Sequence, residues 1–340
     1  MKRLLAAHSL SMVFFALTFC FTVCAAGFST PAHAAVKVKI STAWPEGSAC
    51  QEGALKFGEL FTKATNGKFV VEVYPSDQLA SGNQMNAAEM VQNGEVELDL
   101  RGVVLWAGLD DRFTVLNMPF LLPSFEKVDA TFYNGPGVPA LNQVARENGV
   151  IPLAWGEAGY RQISNSKREV HKPEDMKGLK FRIPGTPMFF DLFGAMGANP
   201  TTINMSEVFT ALQQGVADGQ ENAVDTARGY NIHEVQKYLT LWNGVYDGIL
   251  FASSPDFWES LSPEEQKALE ECAKEAMAFQ RDRCRTTVND THTFFKQAGM
   301  TITELTPEEI AAFRAASQPV YDKWEKKIGT DLLATFGYQK

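Results

Sequence analysis

The sequence is poor in the residue types that most often perform chemistry. It has five histidines and five cysteines in 340 residues. The histidines beyond the N-terminal segment, His171, His233 and His292, have no cysteine or carboxylate companions at metal-ligand spacing. We find no G-x-S-x-G, G-x-x-x-x-G-K, G-x-G-x-x-G or H-E-x-x-H motif. These absences favour a binding protein over an enzyme, and we expect no metal or other cofactor.

Positive charge is also scarce. The chain has 31 basic and 40 acidic residues, a formal net charge of −9. Without Lys2 and Arg3, which belong to a predicted export signal, 29 basic residues face 40 acidic ones, which gives −11. This balance argues against nucleic acid or anionic membrane surfaces as partners. A protein this acidic must bind any anion with a few well-placed cations.

Long apolar runs are missing except at the N-terminus. There Lys2 and Arg3 precede an apolar run over residues 10–26, and residues 32–34 have the small-x-small pattern of a cleavage site. We therefore expect a signal peptide over residues 1–34, cleaved near Ala34, and a protein that works in the periplasm. An uncleaved anchor is the alternative, because the apolar run is nearly long enough to span a bilayer.

The remaining chain, about 306 residues, predicts two domains. It keeps three cysteines, Cys50, Cys272 and Cys284. Cys272 and Cys284 fall in one predicted helix at a separation of about 18 Å, beyond the reach of a disulfide. We expect each thiol to be a small packing group without a disulfide.

Strands and helices alternate in the first part of the mature chain. Apolar residues alternate with polar ones over 36–40, and further strands are predicted near 71–73 and 96–100. Between them, helices are predicted to begin after Ser48 and Ser81, each with a glutamine three residues later as in a capping box. This order is typical of an open parallel α/β sheet.

A second strand-rich part begins near Ile151. One of its strands ends at Arg182-Ile183, directly before Pro184-Gly185. Arg182 is thus predicted at the carboxyl end of a strand, where open α/β sheets bind ligands. From the residues alone, a surface ion pair is the alternative role for Arg182 and for Arg161.

One helix is predicted to be unusually long. Ser262-Pro263-Glu264-Glu265 is a strong start signal, and no helix breaker follows until Gly299. About 36 residues correspond to about 54 Å, longer than either domain alone, so this helix is expected to brace both. Thr306 begins one more predicted terminal helix by the same pattern.

Several sequence blocks carry a family resemblance. They are Tyr74-Pro75-Ser76-Asp77-Gln78-Leu79, the run Met176 to Pro184, the run Gly194 to Pro200, the run Ser206 to Gly215, Asp218-Gly219-Gln220-Glu221-Asn222, and Val235-Gln236-Lys237-Tyr238-Leu239. Together with the long helix, this series resembles the solute-binding subunit of tripartite ATP-independent periplasmic (TRAP) transporters, the DctP-like family. The resemblance covers essentially the whole mature chain.

The resemblance implies an α/β fold of two lobes with the ligand in the cleft between them. It implies lobe I over 36–158 plus 248–287 and lobe II over 159–247 plus 288–340. The lobes are expected to close over the ligand, and the long helix is expected to brace them.

The resemblance also implies three ligand-binding residues. The family's carboxylate-binding arginine falls on Arg182, its second arginine on Arg161, and the asparagine of its Glu-Asn-Pro motif on Asn222. Ala223 replaces that proline here, which we expect to leave the Asn222 backbone less constrained. Met205 stands where many members have an aromatic ring, so we expect a pocket of different shape.

Two further residues are candidates for the cleft wall of the first lobe. Trp44 follows the first strand, and either lines the pocket or belongs to the lobe core. Arg101 follows the third strand, and either pairs with Asp99 or Asp110 or adds a third cation to the site.

The sequence and its resemblance thus predict a periplasmic receptor that captures a small carboxylate or sulfonate and delivers it to membrane permease subunits. The resemblance implies a monomer. Two alternatives stay open at this point. One is an exported enzyme acting on a small organic acid, and the other is a ligand-binding subunit of a sensor.

Overall fold

The computed structural model describes residues 34–339. The predicted signal peptide lies outside these residues, apart from Ala34. No helix within them combines the length and the apolar character needed to cross a bilayer.

Residues 34–339 form nine strands in one sheet. The strands are β1 (Val36–Thr42), β2 (Phe69–Tyr74), β3 (Leu98–Gly102), β4 (Ile151–Asn165), β5 (Lys180–Ile183), β6 (Asn199–Thr202), β7 (Gly219–Ala223), β8 (Tyr238–Ser253) and β9 (Thr301–Glu304).

The same residues form thirteen α-helices. They are α1 (Ala49–Ala64), α2 (Gln84–Gln92), α3 (Val103–Trp106), α4 (Phe125–Val128), α5 (Gly137–Glu147), α6 (Pro187–Ala195), α7 (Met205–Gln213), α8 (Val224–Gly229), α9 (Pro255–Ser260), α10 (Pro263–Gln297), α11 (Pro307–Ala316), α12 (Gln318–Ile328) and α13 (Thr330–Thr335).

The strand order is β2-β1-β3-β8-β4-β7-β5-β6, with β9 added to β8. The predicted parallel arrangement is confirmed for β1, β2 and β3, but the sheet as a whole is mixed. It is mixed because β8 is antiparallel to both β3 and β4. With 15 and 16 residues, β4 and β8 are the longest strands of the described chain. Both run from the half of the sheet that contains β1, β2 and β3 into the half that contains β5, β6 and β7.

The long helix forms as predicted, and α10 has 35 residues. Ser262 accepts a hydrogen bond from the backbone of Glu265, whose side chain accepts one in return, a complete capping box. Near its start, Glu265 forms an ion pair with Lys68. Near its end, the Phe294 ring stacks under the Arg228 guanidinium. The helix therefore contacts elements of both halves, which agrees with its predicted bracing role.

One predicted helix boundary is wrong. Helix α2 begins after Asn83 rather than Ser81, because the Asn83 side chain accepts hydrogen bonds from the backbone of Met85 and Asn86. Ser81 instead adopts a left-handed turn with φ 53°. The helix start predicted at Thr306 is confirmed, with a complete capping box. The terminal segment forms three helices rather than one, α11, α12 and α13, and the second break falls at Gly329, whose φ is 94°.

The cysteines have the predicted packing role. Cys50, Cys272 and Cys284 are free and buried. The Cys284 thiol donates to the carbonyl of Ala158, and burial raises its pKa well above the ordinary value. These thiols are therefore part of the contact between α10, α1 and the sheet rather than reactive groups.

Candidate binding site

A cavity lies where the carboxyl ends of β1, β3 and β5 face helix α7 and strand β7. Its walls are formed by Ala43, Trp44, Gln84, Gly102, Val104, Leu105, Arg161, Arg182, Pro184, Met205, Asn222, Thr226 and Asp247. The space between these atoms is about 380 Å³. Two charged arginines and one carboxylate among mostly apolar walls give the site its chemical character.

Arg182 projects into this cavity from the end of β5. Its Nε donates to the carbonyl of Ile203 at 2.8 Å, and its Nη2 makes a long contact of 3.4 Å with Oε1 of Gln84. Its Nη1 is buried and has no hydrogen-bond partner among residues 34–339. Burial lowers the pKa of Arg182 to about 10, although the charge of Glu221 acts to raise it, and the charge of Arg161 lowers it further. The guanidinium stays charged at neutral pH, without a carboxylate partner in the described chain.

Arg161 has a different environment although it shares the cavity. Its Nε and Nη2 donate to both carboxylate oxygens of Glu221, at 2.5 and 2.9 Å. Its Nη1 donates to Oδ2 of Asp247 at 2.9 Å. Burial raises the pKa of Glu221 and of Asp247, whereas the contact with Arg161 favours their ionised forms. Arg161 is therefore shared between two carboxylates.

Asn222 and Met205 contact each other at the cavity wall. The Asn222 Nδ2 group lies 3.4 Å from the Met205 sulfur, a weak acceptor. Oδ1 of Asn222 accepts a hydrogen bond from the backbone N–H of Ala223 at 3.0 Å. Because proline has no N–H, the alanine at this position fixes the Asn222 side chain rather than loosening it. The expectation of a less constrained Asn222 backbone stays a prediction, because this hydrogen bond involves the side chain.

The remaining two candidates differ from each other. Trp44 lines the cavity and is also buried, and its indole Nε1 donates to Thr226 at 3.1 Å. Arg101 is fully buried outside the cavity wall. It bonds to both oxygens of Asp99 at 2.6 Å and lies 3.1 Å from Asp77. It does not pair with Asp110.

Gln84, Thr226 and Asp247 line the cavity but were not singled out from the sequence. Gln84 is the first residue of α2, and its Oε1 accepts a hydrogen bond from the backbone of Met205 at 3.1 Å as well as the contact from Arg182. Asp247 lies in the middle of β8, and a lone acidic residue within a long apolar strand was the one signal in the sequence that pointed to it.

Gly102 lies against Asp247, where the structure leaves no space for a side chain at residue 102. A Cβ atom at this position would lie 2.8 Å from Oδ2 of Asp247, which Arg161 holds in place. We expect Gly102→Ala to lower the free energy of unfolding by about 1–3 kcal/mol, the usual cost of overpacking. Urea unfolding measures this change.

Gly194→Ala is the matched control for that substitution. Gly194 lies within α6, and an added Cβ there has no atom within 4 Å. Alanine is favoured over glycine in a helix by about 1 kcal/mol, so this variant should be at least as stable as the parent. Equal stability of the two variants would show that the space beside Asp247 is not restricted.

Comparisons with known proteins agree on one family. The family model described as "Bacterial extracellular solute-binding protein, family 7" (DctP) matches residues 40–327. The chain is 31% identical over 286 residues to the C4-dicarboxylate-binding periplasmic protein DctP of Rhodobacter capsulatus, covering 83% of this chain and 84% of that protein.

Two solved structures are similar along nearly their whole length. One is a TRAP periplasmic solute-binding protein from Ralstonia eutropha with bound (S)-2-acetolactate. It has a TM-score of 0.86 at 32% identity, over 88% of this chain and 97% of that one. The other, from Sulfurospirillum deleyianum with bound succinate, has a TM-score of 0.85 at 27% identity, over 91% and 100%.

Proposed function

The chain belongs to family 7 of the bacterial extracellular solute-binding proteins, and we propose that its Arg182 binds the carboxylate of the solute. It is a solute-binding protein of the TRAP type for small organic acids, with the two-lobe α/β fold of that group. The similar proteins named above bind a C4-dicarboxylate, acetolactate and succinate, all of which carry at least one carboxylate.

The unpaired guanidinium of Arg182 is the observation that carries this proposal. A buried cation without a counter-ion is unfavourable, because burial removes water from the charge. A carboxylate in the cavity supplies both a counter-ion and an acceptor for the unpartnered Nη1. Each charge-assisted hydrogen bond contributes about 1.5–3 kcal/mol where water is excluded. Two such bonds to Arg182 give a large share of the roughly 8 kcal/mol that micromolar binding requires.

The other residues of the wall orient the ligand in this proposal. Asn222 offers its Nδ2 group, for which the Met205 sulfur is only a weak partner. Arg161 keeps its position through Glu221 and Asp247 and lines the cavity beside Arg182. Trp44 forms an apolar side of the pocket.

Contacts across the cavity support closure of two lobes. Tyr230 donates to the carbonyl of Ala43, and Thr186 donates to that of Val104. Asp225 accepts a hydrogen bond from the backbone of Ala49. Each contact joins a residue of 36–158 to one of 159–247, which we propose as parts of lobe I and lobe II, together with 248–287 and 288–340.

The family membership supports proposals about export, oligomeric state and partner proteins. We propose that residues 1–34 direct export and are cleaved near Ala34, and that the monomeric mature protein delivers its solute to TRAP permease subunits. We also propose that it is no enzyme. Asp247, the carboxylate in the cavity wall, accepts hydrogen bonds from Arg161, Asn117 and the backbone of Val104, and is therefore an ion-pair partner rather than a free base.

Titration calorimetry of the mature protein tests the function. A panel of dicarboxylates, 2-oxo acids, hydroxy acids, sugar acids and sulfonates should contain a ligand of about micromolar affinity or better. Native mass spectrometry of the protein as purified shows any ligand that has co-purified. Consumption of the bound acid would contradict the receptor function, and failure of all these anions to bind would contradict the whole proposal.

A further inference from the structure

We propose that the site selects hydroxy monocarboxylates over dicarboxylates, and that Asp247 determines this preference by accepting a hydrogen bond from the ligand's hydroxyl group. This inference rests on the proposed function and names the class of organic acid. It follows from the charges and hydrogen-bond capacities of the groups that line the cavity.

The charged residues that line the cavity provide a counter-ion for one anionic group of a ligand. Arg161 is bonded to both Glu221 and Asp247, so its single charge faces two carboxylates. Arg182 has no carboxylate partner among residues 34–339. One ligand carboxylate makes three anions against two cations, and Arg182 is the one arginine of the wall that is not already bonded to a carboxylate among residues 34–339. A second carboxylate finds no unpaired arginine in the wall and meets Asp247 as a like charge.

Arg101 does not change this balance. It is the third buried arginine near this end of the sheet, but Asp99 and Asp77 already surround its guanidinium. It also donates to the backbone carbonyl of Gln84, and it is not among the residues that line the cavity. A dicarboxylate therefore gains no second counter-ion from Arg101.

Asp247 has an acceptor site to spare. Its Oδ1 accepts hydrogen bonds from the backbone of Val104 and from Asn117, both at 3.3 Å. Its Oδ2 accepts one from Arg161 at 2.9 Å. A carboxylate oxygen has two lone pairs, so Oδ2 retains one. The absent side chain of Gly102 leaves the space beside this oxygen open, because a Cβ there would lie only 2.8 Å away.

A hydroxyl group fits this acceptor better than the alternatives. A hydroxyl donates a hydrogen bond, whereas a keto oxygen or a carboxylate offers only lone pairs and is repelled by Oδ2. Sites that form a hydrogen bond to a substrate hydroxyl discriminate strongly against analogues without it, because their buried polar group then stays unpaired. Asp247 is 1% exposed, so water does not replace the missing partner freely.

Ligands on one four-carbon skeleton test the inference without any mutation. We would titrate the mature protein with butanoate, 2-, 3- and 4-hydroxybutanoate, 2-oxobutanoate and succinate, using both enantiomers where they exist. At least one hydroxybutanoate should bind about tenfold or more tightly than butanoate, 2-oxobutanoate and succinate. Succinate binding as tightly as the best hydroxybutanoate would overturn the inference, and so would failure of all six acids. Binding of any other organic acid in the wider panel would still leave the proposed function standing.

Asp247→Asn assigns the preference to this side chain. The amide keeps the shape but removes the negative charge, so Arg161 then pairs with one carboxylate, Glu221, instead of two. The ratio of hydroxybutanoate to succinate affinity should fall about tenfold or more.

Glu72→Gln is the control. Glu72 lies on the edge strand β2 and forms a surface ion pair with Lys37, so its replacement also removes one negative charge but should leave the ratio unchanged. An unchanged ratio in folded Asp247→Asn protein would contradict the role of Asp247. If this variant fails to fold, the ranking of ligands in the parent protein decides the question.

Discussion

Replacement of Arg182 by alanine is expected to weaken binding of the organic acid by at least about a hundredfold, because two charge-assisted hydrogen bonds of about 1.5–3 kcal/mol each are lost. The buried guanidinium has no counter-ion among the described residues and an unpartnered Nη1, so the ligand alone completes its environment. Calorimetric titration with the best ligand of the parent protein measures the loss.

Stability provides an independent readout for the same variant. In the protein without ligand, Arg182→Ala loses the packing of the arginine side chain, but it also removes the desolvation cost of an unpaired buried cation. The unfolding midpoint should therefore fall by no more than the loss of packing accounts for. Loss of affinity together with retained stability identifies a ligand-binding residue. Ligand-induced stabilisation, which is large in the parent at saturating ligand, should be absent.

Two controls sharpen this experiment. Arg182→Lys keeps the charge but loses the planar fork, so its affinity should lie between those of the parent and the alanine variant. Arg168→Ala removes an exposed arginine whose guanidinium donates to the backbone carbonyls of Asp175 and Lys177, and this variant should bind the ligand normally. Unchanged affinity in Arg182→Ala would remove the central assignment of the site.

Arg101→Ala should cause the largest loss of stability, about 3–5 kcal/mol, because it leaves two buried carboxylates without their cation. Asp99 is 0% exposed and bonds to Arg101 through both oxygens, and Asp77 is 2% exposed. Urea unfolding at neutral pH measures the difference. Arg112→Ala is the matched control, since Arg112 pairs with Asp110 and Glu147 at the surface and should contribute at most about 1 kcal/mol.

The stability loss of Arg101→Ala should depend on pH. Burial already raises the pKa of Asp99 to about 6, and removal of the arginine raises it further. A carboxyl group whose pKa is higher in the folded protein takes up its proton preferentially there, so folding gains stability as the pH falls. The deficit should therefore shrink between pH 8 and pH 5. A deficit that grows over this range would contradict the assignment of Asp99 as the uncompensated group.

The cavity arginines, Arg161 and Arg182, explain how a protein with a formal net charge of −9 binds an anion. The overall field repels a negative solute, but screening limits that effect to about 8–10 Å at physiological salt. Inside the cavity the unpaired charge of Arg182 dominates at short range, where water is excluded. Recognition is therefore local, and a change in surface charge should affect association rates more than the identity of the bound acid.

Local signals in the sequence determined much of the fold. The alternation in β1, the start of α1 at Ser48 and the capping box of α10 are each set by neighbours within a few residues, and the structure contains all three. The wrong prediction for the start of α2 also comes from reliance on local signals. Ser81 and Asn83 both offer a capping oxygen, and local pattern does not decide which of them the turn before the helix brings into position.

The sequence also determined that Arg182 ends a strand, because strand period and the following Pro184-Gly185 are local features. Only the tertiary structure decided which arginine keeps its charge unpaired. Arg101, Arg161 and Arg182 are equivalent as residue types, but Glu221 and Asp247 come to Arg161 from strands 60 and 86 residues away. Ion pairing depends on distances of a few ångströms between segments remote along the chain, and those distances exist only once β4, β7 and β8 share a sheet.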